Sequence, residues 1–175
     1  MRSKSLLMVA LLFAGVVQLW AQPVQAGHEE ATSFTFMVVD GQVGGSDQII
    51  LNGSGTFNSD DIEGGGHFTH YRVVGHPPFP IVASGTWEAT GLIRFTPNGI
   101  YGASESGILE MQVRLIPSHG SPVSATMRMV CNVPAGGLLT GEEEGITLRL
   151  RGGSVFEPVG LGLTVFNPGV EDDEQ

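Results

Sequence analysis

The residues best suited by type and spacing to do chemistry lie between Asp60 and His76. Asp60, Asp61 and Glu63 precede Gly64-Gly65-Gly66, and His67, His70, Tyr71 and His76 follow. Neutral imidazole nitrogen and carboxylate oxygen are the usual ligands of zinc and copper, so His67, His70 and His76 are candidate metal ligands. Spacing sets a condition on that reading. If Phe68 to Val74 forms a strand, His67 and His70 stand an odd number of residues apart and fall on opposite faces. They converge only through a bulge, or with His67 still inside the glycine loop. The competing reading is three surface histidines in a loop. The carboxylates do not follow the calcium-loop spacing, with its glycine at the sixth position.

Met127, Met129 and Cys131 form a second set, because an extended chain presents all three on one face. Thioether and thiolate suit cuprous copper, but an apolar core strand explains the same pattern, and buried cysteine behaves as a small hydrophobe. Nothing beside Cys131 in sequence would lower its pKa as a nucleophile requires. Trp87, Tyr71, Phe57 and Phe68 fall in neighbouring candidate strands and can line a cavity or fill a core. Trp87 and Tyr71, with Glu110, Arg114 and Arg128, are therefore the candidate ligand-binding residues.

No residue is assigned a catalytic role. Gly102-Ala103-Ser104-Glu105-Ser106 ends in serine where a nucleophile elbow needs glycine. Gly160-Leu161-Gly162 is followed by Val165 where a dinucleotide loop needs its third glycine. Asn52-Gly53-Ser54 fits the N-glycosylation acceptor pattern. No motif names a cofactor.

The elements that must carry these residues read as strands. Apolar and polar residues alternate at a period of two, and glycine or proline clusters interrupt them at short intervals. The expected strands are Ser33 to Val39, Gln48 to Phe57, Phe68 to Val74, Ile81 to Ala89, Leu92 to Thr96, Gly107 to Ile116, Val123 to Val133, Gly145 to Arg151 and Gly160 to Phe166. Between them stand Asp40-Gly41, Gly44-Gly45, Gly64-Gly65-Gly66, Pro77-Pro78, Pro97-Asn98-Gly99, Pro117 to Gly120 and Gly152-Gly153 as breakers. The fold class is all-β, a single antiparallel barrel of eight to nine strands, with a sandwich as the alternative. Ser54-Gly55-Thr56-Phe57 recurs as Ser84-Gly85-Thr86-Trp87, and Gly55 and Gly85 mark expected bends. Parity places Leu109, Met111, Val113 and Leu115 on one face and Glu110, Gln112 and Arg114 on the other. The plain reading of these charges is cross-strand pairing on a wet face.

The N-terminus sets the compartment. Arg2 and Lys4, an apolar run from Leu6 to Val17, and Val24-Gln25-Ala26 before Gly27 have the order of a secretory signal peptide. The run is shorter than the roughly 20 residues a spanning helix needs. We therefore expect residues 1–26 to be a signal, residues 27–168 one β domain, and residues 169–175 a disordered acidic tail. The exported chain is expected to be secreted or periplasmic, with no membrane insertion after cleavage. Loss of Arg2 and Lys4 takes the basic residues from 8 to six, all arginine, against 18 acidic ones, a net charge of −12. That sign opposes binding to nucleic acid. One cysteine cannot form an internal disulfide, so sheet packing must hold the fold.

Gly64-Gly65-Gly66-His67-Phe68-Thr69-His70, Ala83-Ser84-Gly85-Thr86-Trp87 and Gly107-Ile108-Leu109-Glu110-Met111 resemble stretches of uncharacterised small secreted prokaryotic proteins. The repeated Gly-Thr-aromatic hairpins are similar in architecture to barrels of the allene oxide cyclase and dirigent type. That resemblance implies a barrel and transfers no functional residue. The expected function is a non-catalytic barrel protein binding a small molecule or a surface component. The alternatives are a cyclase-like or isomerase-like enzyme with a barrel pocket, and a metal-binding protein using the three histidines. No signal bears on oligomeric state.

Overall fold

The computed structural model describes residues 31–169. The expected signal peptide and its cleavage site, and all but the first residue of the expected acidic tail, lie outside the described residues. Eight antiparallel strands follow one another in chain order and close into a barrel: β1 Thr32–Gln42, β2 Asp47–Phe57, β3 Ile62–Arg72, β4 Ile81–Tyr101, β5 Ser104–Pro117, β6 Val123–Cys131, β7 Gly145–Leu150 and β8 Val155–Asn167. β1 pairs with β8 to complete the ring, and one turn of 3₁₀ helix, Pro134–Gly136, sits in the β6–β7 connection. Among the described residues, no helix is long and apolar enough to cross a membrane.

Alternation decides which side chains go inside. Leu109, Met111, Val113 and Leu115 are buried on β5, and Ala125, Met127, Met129 and Cys131 join them from β6. Phe34, Phe36 and Val38 do the same on β1, and Phe156 and Phe166 on β8. The interior is therefore a packed core of rings, methionines and aliphatic side chains.

Three expectations about elements need correction. Ile81 to Ala89 and Leu92 to Thr96 are one strand, because Thr90-Gly91 and Pro97-Asn98-Gly99 are absorbed as bulges in the β4–β5 ladder. The reversal comes later, at Gly102, whose φ of 61° lies in the left-handed region that favours glycine. Gly64-Gly65-Gly66 is no loop either. All three glycines are in β3, paired in register with Gly55, Ser54 and Gly53 of β2.

Rings lie over Gly53, Gly55 and Gly64, while at Gly65 and Gly66 an added Cβ would meet backbone of the neighbouring strands. Phe36, Gly53, Gly66 and Trp87 are successive partners across β1 to β4, and the Trp87 ring crosses the two glycines to stack on Phe36 at a centroid distance of 5.5 Å. A Cβ on Gly53 would stand 2.3 Å from Trp87 Cζ2. Phe34 lies the same way over Gly55 and Gly64, where a Cβ would meet its Cζ at 2.6 and 2.7 Å. Close ring-to-backbone approach is a known use of strand glycine.

Candidate functional site

The outer face of β4, β5 and β6 carries an ion-pair ladder. Arg94 donates to both carboxylate oxygens of Glu110 at 2.9 and 3.0 Å, and Arg128 donates to Glu110 at 3.2 Å and to Glu142 at 2.5 Å. Arg114 pairs with Glu88 on the same face. Hydrogen bonding from Arg94 holds the Glu110 carboxyl below the usual carboxylate range. Exposed pairs of this kind add little to stability, because water and salt screen them. Glu110, Arg114 and Arg128 therefore do not converge inside the barrel; parity turns all three outward.

Trp87 does not line a cavity. It is 2 % exposed, stacked on Phe36, and its Nε1–H donates to the Asn52 carbonyl at 2.9 Å. Tyr71 is half-buried at the far end of β3, just after a bulge, and stands outside that core. The two residues do not form a shared platform.

The histidines are separated too. β3 runs in unbroken register with β2 from His67 to His70, so no bulge brings them to one face. His67 is exposed on the outside and His76 lies in the β3–β4 connection. His70 turns inward, where Nε2 is 3.0 Å from Asp47 Oδ2 and the ring meets Phe156 edge-on at 5.5 Å. Among the described residues no three His, Cys, Asp or Glu side chains are placed to hold a metal ion. The three histidines are thus not brought together among the described residues.

Met127, Met129 and Cys131 are core residues. Burial pushes the Cys131 thiol up from its ordinary value, and its Sγ hydrogen donates to the Thr164 carbonyl. Cys131 is expected to resist a soluble disulfide reagent in native protein and to react fully once urea unfolds it. Rapid labelling of the folded protein would contradict that burial.

Two features missed in the sequence stand out. The first is a groove of about 750 Å³ at one end of the barrel. β4 pairs with β3 only as far as Glu88 opposite Gly65, and its continuation through Phe95 leaves β3 behind. The gap is floored by Phe57, Leu92 and Phe95 and edged by Asn58, Asp60 and Arg94. Phe95 packs on Phe57 at 4.7 Å and on Phe166 at 5.6 Å, which fixes the floor. The rim is fixed by Asn58, whose Oδ1 accepts from the Asp60 and Asp61 backbone N–H groups at 2.9 and 2.8 Å.

The second is Asp40, on the inward face of β1 in line with Phe34, Phe36 and Val38. It is fully buried, and neither carboxylate oxygen has a hydrogen-bond partner. Burial raises its pKa from the ordinary 3.8 to about 8. No family model, curated protein or solved structure matches the chain.

Proposed function

We propose that the protein is an exported, non-catalytic barrel that binds a small amphipathic molecule in the groove beside Phe57, Leu92 and Phe95. The observation that carries this reading is the partly uncovered apolar floor, chiefly Leu92 and Phe95 over buried Phe57, where β4 outruns β3, framed by polar side chains. A volume of about 750 Å³ lies within the range of small-molecule sites, which pair apolar walls with a few polar groups that orient the ligand. Rings and Leu92 would take a flat apolar body; Asn58, Asp60 and Arg94 would meet its polar edge.

The cyclase-like alternative has less behind it, since Glu110, Arg114 and Arg128 face solvent. Its remaining support is the inward His70 with Asp47, away from this groove. Binding is therefore the better supported reading.

The test is titration with Nile red, a neutral planar dye. Saturable one-to-one fluorescence enhancement is expected, weakened at least about tenfold in Leu92→Asp, measured at a temperature where circular dichroism shows the variant still folded, because a charge on the floor must be desolvated. Equal dye affinity in wild type and Leu92→Asp would overturn the assignment.

A further inference from the structure

Asp40 follows Phe34, Phe36 and Val38 on the inward face of β1, and a buried carboxyl with no partner is costly to keep. What lies beside it is a seam in the barrel wall. β7 and β8 pair only through Leu148 with Phe156 and Arg149 with Val155. Beyond them β8 turns away through Pro158, which has no N–H to offer a ladder, and bulges opposite Asp40. A cavity of about 370 Å³ opens there, lined by Val38, Asp40, Glu143, Glu144, Pro158 and Leu163, with glycines completing its wall. A Cβ on Gly160 would find nothing within 4 Å.

The lining holds three carboxyl groups and no cationic side chain. Glu144 is held in place, since the Thr164 backbone N–H donates to its Oε1 at 3.2 Å. Nearby, Asp47 on β2 is already engaged by His70 and Arg72, and Glu157 precedes Pro158 on β8. A bare metal ion does not fit this arrangement, because no three carboxylates converge to the short distances a cation requires. Several dispersed acceptors around an apolar middle suit a longer cation.

We propose that the β7–β8 seam binds a small organic cation of the aliphatic diamine class, with one ammonium group taken by Asp40 and the other by Glu143 and Glu144. The methylenes between them would lie on Val38, Pro158 and Leu163. The chain's net charge of −10 concentrates such cations at its surface. Asp40 must ionise to pair with an ammonium group, so binding releases a proton.

Isothermal titration with 1,4-diaminobutane decides the matter, run near pH 6 in two buffers of different ionisation enthalpy. Saturable one-site binding with release of about one proton is expected. Asp40→Asn, close to isosteric, should weaken binding at least about tenfold and abolish the release. Glu143→Gln, an exposed and structurally harmless change, should weaken binding while the release persists. 1,4-Butanediol should not bind. Absence of saturable heat, equal affinity in Asp40→Asn, equal binding of the diol, or equal binding of calcium chloride would each overturn the proposal.

Discussion

Trp87→Ala is expected to lower stability by roughly 3–5 kcal/mol, the range for removing a large buried ring, and Gly53→Ala to cost roughly 2 kcal/mol or more by overpacking. The two losses have one origin. Trp87 reaches Phe36 only by crossing Gly66 and Gly53, so the ring requires the glycines and the glycines are filled by the ring. Loss of the indole also leaves the Asn52 carbonyl without its side-chain donor. Coupling makes the case testable. A Cβ on Gly53 meets Trp87 Cζ2 at 2.3 Å and the Gly65 carbonyl at 2.7 Å, so shrinking the ring relieves the first contact and not the second. In a Trp87→Leu background the cost of Gly53→Ala should fall by about 1 kcal/mol, read by urea unfolding followed by circular dichroism. Strict additivity of the two substitutions would show that the ring is not what demands glycine there.

That row of residues also marks where sequence reading stops. Parity sufficed for faces on β5 and β6: Leu109, Met111, Val113 and Leu115 had to share one, and so did Met127, Met129 and Cys131, for which a core strand was the simpler of two readings, because extended chain alternates whatever its neighbours are. It likewise separated His67 from His70. The glycines misled because Gly64-Gly65-Gly66 is as good a loop as it is a strand until a ring at Gly64, and close backbone at Gly65 and Gly66, are known to need the space. β4 misled for a related reason. Pro97-Asn98-Gly99 usually reverses a chain, but here the ladder to β5 continues on both sides of it and makes it a bulge. The groove beside Phe95 depends on how far β4 extends past β3, a tertiary quantity with no local signal. Asp40 did have one. Phe34, Phe36, Val38 and Asp40 step by two, yet Asp40-Gly41 resembles a turn, and the strand in fact runs on to Gln42.

Asp40 has the strongest expected effect of pH on this fold. Its ordinary pKa is 3.8 and burial lifts it to about 8 in the folded chain, so between those values the folded state holds a proton that the unfolded state has released. The slope of unfolding free energy with pH is then negative. Stability from neutral Asp40 is fully present below about pH 4 and drains away as pH rises toward 8, by an amount on the order of 5 kcal/mol at most. Glu110 acts in the opposite sense, since its depressed pKa gives stability that is lost only as pH falls below the ordinary 4.5. Wild type should accordingly show declining stability from about pH 5 to pH 8, the range in which stability ordinarily tends to be greatest. Asp40→Asn removes the titration and keeps the shape, so the difference between the two proteins is the clean readout. Near pH 4 the curves should nearly meet; near pH 8 the variant should be the more stable by several kcal/mol, measured by urea unfolding at each pH. Parallel curves across that range would mean that the Asp40 carboxylate is stabilised in place by water or by a relaxed backbone, and the seam beside it would then offer a cation no unpartnered charge to meet.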